Sequence, residues 1–241
     1  MNKFITIIAS FLIAFTFTKT VLADGHQVYG PYPITLKGYD GDATNSVKYT
    51  GQMARHALHD SLKALVKSGD VAKMMAYYNG EDGLEIIAPA SKGDFVIKQT
   101  MISEIGSGNL SGKMYKGAIP GWGNLTGPEV IEHMMTKAGE VEGGFDPNTG
   151  MDYTQLISKF AMGAVFYNQA VNSYLGSKME VGQKPNNKPY KDGAYYTGKE
   201  HSWDEAFGYW GSAAHALTLS AEQNYNVAKK KDMASADFNG D

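Results

Sequence analysis

His201, Asp204 and Glu205, in the stretch GKEHSWDEAFGYWGS (residues 198–212), are the residues of this sequence best suited to bind a cation or a polar ligand. On a helix, positions three and four apart share one face, so both carboxylates come within reach of the imidazole. Imidazole and carboxylate groups are accepted ligands of divalent and ferric ions. The spacing therefore predicts a metal or ligand site here. The alternative is a solvated helix face with a local pair between a histidine and an acid.

His56, His59 and Asp60, in the stretch RHALHD, repeat the same spacing and form the second candidate site. They project away from the apolar side of their own predicted helix, which is typical of a solvated face. A metal site here would require the fold to bring this face against the helix that carries His201.

A third pattern lies at the end of the chain, where ADFNGD places Asp237, Asn239 and Asp241 at alternate positions. A calcium loop begins D-x-[DN]-x-[DN]-G, with oxygen ligands at its first, third and fifth positions. The sequence stops where the glycine of that loop would follow. We therefore expect a fragment of a calcium loop in a domain truncated at its C-terminus.

The elements that must position these residues are predicted to be helices. Apolar residues recur at helical spacing in residues 50–69, 126–140 and 151–176, and a further helix begins after Thr197. Thr126-x-x-Glu129 and Thr197-x-x-Glu200 are capping boxes, and Asp152 is a candidate cap of the longest helix. The pattern predicts an all-α fold, a helical bundle with long irregular loops.

The helix that begins after Thr197 has an aromatic side and a polar side. At about 100° per residue, the polar side carries His201, Asp204 and Glu205. Its opposite side is predicted to face the core and is formed by Trp203, Ala206, Phe207 and Trp210.

The N-terminus predicts export. Lys3 precedes an apolar run from Phe4 to Phe17, and Val21-Leu22-Ala23 completes a secretory signal peptide, residues 1–23, cut after Ala23. Residues 24–48 are rich in Gly, Pro and Asp and are predicted to form an extended arm, and residues 49–241 the helical domain. We expect a periplasmic or otherwise exported protein with no membrane span after cleavage.

Composition excludes several functions. The formal net charge of -3 gives no general attraction to nucleic acid. The absence of Cys excludes disulfides and thiol catalysis within this chain. A metal site must therefore use His, carboxylate or carbonyl ligands.

Two stretches, YTGKEHSWDEAFGYWG (residues 196–211) and LISKFAMGAVFYNQAVNSYL (residues 156–175), resemble the imelysin-like group of exported bacterial proteins. The match is better to a branch of unknown function, through W-D-E-A-F-G-Y. The resemblance covers roughly residues 49 to 241. It implies a periplasmic or outer-membrane-associated helical bundle linked to iron uptake, and one branch of the group is described as metallopeptidase.

The imelysin signature is G-x-H-x-x-E on a helix, and this chain departs from it. Gly198 lies three residues before His201 rather than two, and Asp204 takes the position of the Glu, with Glu205 next.

Three functions follow as expectations. The first is a periplasmic helical binding protein for iron, another metal or a metal-bearing ligand, at His201, Asp204 and Glu205. The second is a metal-dependent hydrolase of the imelysin peptidase type, in which the same residues hold a metal that activates water. The third is a non-catalytic structural envelope protein, whose partners are other envelope proteins and whose polar helix faces are solvated.

Overall fold

The computed structural model describes residues 33–87, 99–211, 219–229 and 231. The predicted signal peptide, the first part of the arm, and the calcium-loop fragment at Asp237, Asn239 and Asp241 lie outside the described residues. The helices are α1 (Thr50–Leu65), α2 (Val71–Asn79), α3 (Gly127–Gly139), α4 (Tyr153–Ala161), a π helix (Met162–Tyr174), α5 (Gly198–Trp210) and α6 (Ala221–Ala228).

Strands are confined to two short antiparallel pairs in the described ranges. β1 (Ala118–Ile119) pairs with β2 (Leu125–Thr126), and β3 (Phe145–Asp146) pairs with β4 (Met151–Asp152). Each pair closes a loop that leads into a helix. The mainly-α class is thereby confirmed, while the bundle arrangement and the domain boundaries stay predictions.

The helix starts predicted from capping residues are confirmed. Thr126 N donates to the Glu129 carboxylate over 2.7 Å, and Thr197 N donates to that of Glu200 over 2.7 Å. Asp152 accepts from the backbone N of Gln155 at 3.1 Å. These bonds satisfy amide groups that have no partner within the first turn of a helix.

The core lies where α1 packs against α2, α4 and α5. α5 in turn packs along the π helix, and α3 packs on α4. Leu58, Leu62 and Ile131 are fully buried at these contacts. Burial of each such side chain contributes about 2 kcal/mol, which stabilises the helices far more than their intrinsic propensities do.

The described part of the arm, residues 33–48, packs onto the helices rather than standing apart. Pro33 and Asn45 form an antiparallel bridge, and Val47 is buried against the core. Lys48 N donates to the Asp204 carboxylate over 2.5 Å, which ties the start of α1 to α5. Among the described helices, none is both long and apolar enough to cross a membrane.

Candidate functional site

The orientation of α5 differs from the one predicted at its two tryptophans. Trp203 and Trp210 are 53% and 75% exposed, whereas Asp204, Gly208 and Tyr209 are buried. The prediction that the aromatic side faces the core is therefore wrong for Trp203 and Trp210. It holds for Ala206, which is buried, and for Phe207, which packs partly buried against the core. The polar side of α5 is the side that meets α1 and the π helix.

Gly208 explains why the polar side can face inward. A Cβ atom at this position would lie 2.8 Å from Cβ of Tyr49 and 2.9 Å from Cβ of Gln52, both on or beside α1. Only a glycine allows the two backbones to approach this closely. The close contact forces the neighbouring side chains of α5, including His201 and Glu205, into the interior.

His201 is held between aromatic rings and two carboxylates. Its ring stacks on Tyr196, with centroids 4.7 Å apart, and Tyr190 lies 4.9 Å away. Nδ1 lies 3.8 Å from Oδ2 of Asp204, and Nε2 lies 3.5 Å from Oε2 of Glu205. Nδ1 is buried and makes no hydrogen bond.

Both carboxylates have further partners inside the protein. Asp204 accepts from Lys48 N, and its burial raises the pKa of the carboxyl group to about 6. Glu205 accepts from Nε2 of Gln52 over 2.8 Å and from the hydroxyl of Tyr174 over 3.3 Å. The two carboxylates are thus hydrogen-bonded to other parts of the chain, whereas Nδ1 of His201 is left without a hydrogen bond.

The carboxylates of Asp204 and Glu205 do not converge on one nitrogen of His201. A metal binds an imidazole nitrogen at about 2.0–2.1 Å and needs its other ligands around the same point. Asp204 and Glu205 face different nitrogens of His201, so an ion on either nitrogen reaches one carboxylate and not the other. Within residues 33–87, 99–211, 219–229 and 231, no three His, Asp or Glu side chains are placed to hold a metal ion.

The second candidate cluster lies in a different environment from the one expected. The prediction of a solvated face on α1 is wrong, because α4, the π helix and α5 cover much of it. Nε2 of His56 lies 3.0 Å from the carbonyl oxygen of Gly208 and therefore donates to it. The His56 ring stacks on Phe166 with centroids 4.3 Å apart, and burial lowers its pKa to about 4, so it is neutral at pH 7.

His59 is buried beside it and touches α4. Nε2 lies 3.1 Å from the carbonyl oxygen of Ser158 and 3.3 Å from its hydroxyl. Nδ1 lies 3.3 Å from Oδ1 of Asp60. Both ring nitrogens thus have protein partners, and the Phe166 ring meets the imidazole edge-on at 5.4 Å.

Next to these residues lies a cavity of about 690 Å³, called here the first cavity. Its polar lining comes from α1 and α4 and its apolar lining mainly from the π helix and the end of α5. The polar residues are His56, His59, Asp60, Lys63, Ser158 and Lys159. The larger apolar and aromatic residues are Met162, Phe166, Tyr167, Val171, Tyr209 and Trp210.

The structure therefore brings His56, His59 and Asp60 together on one cavity, and leaves His201, Asp204 and Glu205 outside it. Sequence reasoning missed Lys159, Phe166 and Trp210 as site residues. Lys159, Met162 and Phe166 share one helical face in the sequence, and that signal alone places them on a common side of their helix. Their meeting with α1 depends on the tertiary fold.

Comparison with known proteins gives one match. Residues 130–240 match a family described as a domain of unknown function (DUF4856). The matched part includes α4, the π helix and α5, together with the W-D-E-A-F-G-Y stretch, but not α1. No curated protein and no solved structure matches the chain. The resemblance to imelysin-like proteins therefore stays a prediction.

Proposed function

We propose that this chain is an exported binding protein that holds a small organic anion with an aromatic or apolar body in the first cavity. The observation that carries this proposal is the cavity itself. Its volume of about 690 Å³ falls in the range of ligand pockets, roughly 300–1,000 Å³. Mostly apolar walls with a few convergent polar groups are typical of such pockets.

The charges around the cavity favour an anion. Among the described residues that line the cavity, Lys63 and Lys159 are cationic, whereas Asp60 is the single acidic residue and lies against His59. His56 adds no charge at neutral pH, because burial lowers its pKa to about 4. The lining is therefore positive on balance, and a carboxylate, sulfonate or phosphate group complements it.

The π helix supplies much of the apolar wall. Hydrogen bonds of this helix span five residues, as in the bond from Leu175 N to the carbonyl oxygen of Ala170, 2.9 Å long. π segments are rare and occur frequently at functional sites. Phe166, Ala170 and Val171 come from this segment and line the cavity.

The geometry favours an organic ligand over a metal-bearing one. Among the described residues, no three His, Asp or Glu side chains are placed to hold a metal ion, whereas the lining of the first cavity is mostly apolar and aromatic. Metal binding at His201 stays a prediction from sequence. The metal-dependent hydrolase and the purely structural protein remain the rival functions. The probe titration and elemental analysis described next distinguish them from an anion-binding protein.

The test uses anilinonaphthalene sulfonate, an aromatic anion that fluoresces when it leaves water, and phenylnaphthylamine, which has the same rings without the sulfonate. The purified protein is expected to bind the anion saturably at one site and more tightly than the neutral probe. Lys63→Glu should lower the affinity for the anionic probe by about tenfold or more, since a favourable contact with the sulfonate becomes a repulsive one.

Lys67→Glu is the matched control, because it makes the same charge change at an exposed position outside the cavity. Equal effects of the two variants, or no saturable binding by the wild type, would overturn the proposal. Elemental analysis of the same preparation tests the rivals. Stoichiometric metal that is lost in His201→Ala would favour the metal site instead.

A further inference from the structure

A second cavity lies beside the first along the π helix. It measures about 370 Å³ and is called here the second cavity. Lys159 and Tyr167 line both cavities, so they mark the boundary between them. Tyr167 is 60% exposed and stands up from the helix rather than packing in the core. The residues that line only the second cavity are Tyr115, Ile119, Phe160, Gly163, Ala164, Asn168 and Asn172.

Gly163 has no structural reason to be a glycine in the described fold. It lies within a helix, where glycine is destabilising relative to alanine. Its φ is not positive, and a Cβ atom built on it would meet nothing within 4 Å. The missing side chain therefore serves neither a turn nor a close approach of two described elements. The absence of a side chain at Gly163 leaves space in the second cavity, which this residue lines.

Two of the residues that line only the second cavity carry side-chain amides. Nδ2 of Asn172 donates to Oδ1 of Asn168 over 3.1 Å. Each amide has both donor and acceptor capacity. With that bond made, the Nδ2 group of Asn168 can donate a hydrogen bond to a neutral group of a ligand, and Oδ1 of Asn172 can accept one from it. The chemistry therefore changes along the surface, from aromatic at Phe166 to cationic at Lys159 and to amide at Asn168.

From this change in chemistry across the two cavities, we infer that the second cavity is a subsite for the same ligand. That ligand is elongated and carries two ring systems with an anionic group between them. One ring system occupies the first cavity, the anion lies at Lys159, and the second ring system lies over Gly163 beside Tyr167. A hydroxyl or amide on the second ring system reaches Asn168 and Asn172. This inference rests on the proposed function of the first cavity.

The test compares anilinonaphthalene sulfonate with its covalent dimer, bis-anilinonaphthalene sulfonate, on the wild type and on Gly163→Leu. The dimer is expected to bind the wild type with one-to-one stoichiometry and at least about tenfold more tightly than the monomer, because its second half is held near its subsite. Gly163→Leu should remove this advantage and leave the affinity for the monomer within twofold of that of the wild type.

Two controls accompany the variant. Its midpoint of thermal unfolding should equal or exceed that of the wild type, since leucine favours a helix over glycine. Gly121→Leu makes the same change at another exposed glycine with open space around it, and it should preserve the dimer's advantage.

The possible results distinguish failure of the second subsite from failure of the proposed function. If the monomer binds but the dimer is no tighter, or if Gly163→Leu leaves the dimer's advantage intact, the second subsite is wrong while the proposed function stands. If Gly163→Leu weakens both probes equally, the monomer itself occupies the second cavity and the two-part site is wrong. If neither probe binds the wild type, the proposed function fails and the subsite fails with it.

Discussion

α1 and α5 carry the same arrangement of ionisable residues and use it differently. Each has a histidine followed at the third and fourth positions by groups that can share a ligand, at His56 on α1 and at His201 on α5. On α5 the two carboxylates accept hydrogen bonds from Lys48, Gln52 and Tyr174. On α1 the groups border a cavity of about 690 Å³.

The difference shows that spacing on one helix does not identify a binding site. A local pattern places side chains on one face, but only the elements packed against that face decide between a closed polar network and an open cavity. On α5, Gly208 lets the helix lie directly against α1. On α1, His56 and His59 contact Phe166 of the π helix and still border the first cavity. The predictions that follow alter one face at a time.

The largest expected effect is at the contact between the two helices. Gly208→Val would place a side chain 2.8 Å from Cβ of Tyr49 and should lower the free energy of unfolding by at least about 3 kcal/mol. Gly163→Val adds the same side chain where nothing lies within 4 Å, and should change that free energy by about 1 kcal/mol at most. Urea denaturation measures both, and equal values would mean that α5 does not pack on α1 as described.

Asp204→Asn should stabilise the protein at neutral pH. The folded pKa of Asp204 is raised to about 6 from 3.8, so the folded state holds its proton more tightly than the unfolded state. Its favourable contribution is complete below about pH 4 and is lost as the pH rises through 6. Asparagine keeps an acceptor for Lys48 N without the buried charge.

The variant should therefore gain up to about 3 kcal/mol above pH 6, and this gain should shrink toward pH 4. Unfolding by urea across this pH range measures it. A gain that does not depend on pH would show that ionisation of Asp204 is not its source.

His56→Gln should show a pH dependence of the opposite sign. The folded pKa of His56 is lowered to about 4 from 6.5, so the unfolded state takes up the proton first on acidification. The wild type therefore loses stability as the pH falls from about 6.5 to 4, whereas glutamine, which can still donate to the Gly208 carbonyl, does not titrate.

Relative to the wild type, this variant should gain roughly 2 kcal/mol between neutral pH and pH 4, since water still reaches part of the His56 ring. The same titration by urea unfolding measures it. A difference that is constant across the range would contradict a neutral, buried His56.

The smallest expected effect separates the two exposed tryptophans of α5. Trp210 lines the first cavity and Trp203 does not, although both side chains are more than half exposed. Trp210→Ala should lower the affinity for anilinonaphthalene sulfonate by about tenfold, which corresponds to ~1.4 kcal/mol of binding free energy from the lost aromatic contact. Trp203→Ala should leave the affinity unchanged. Fluorescence titration of both variants checks this, and equal losses would place the probe on the surface rather than in the cavity.

The sequence alone was sufficient to predict α1, α3, α4 and α5, and the first residues of the last three. Thr126, Asp152 and Thr197 cap α3, α4 and α5, because a cap needs only a partner two or three residues away in the chain. The apolar spacing from 151 to 176 predicted one long helix. It did not distinguish α from π hydrogen bonding, which differ by one residue in register and leave a similar apolar pattern.

Only the tertiary structure decided which side of α5 is buried and where the cavity lies. Trp203 and Trp210 are the larger apolar side chains, so hydrophobicity favoured their burial, yet the close contact at Gly208 turned them outward. Lys63 and Lys159 line one cavity, and His56 stacks on Phe166, although the two residues of each pair are about a hundred positions apart in the chain. Local spacing carries no information on such contacts, because they depend on how several helices pack at once.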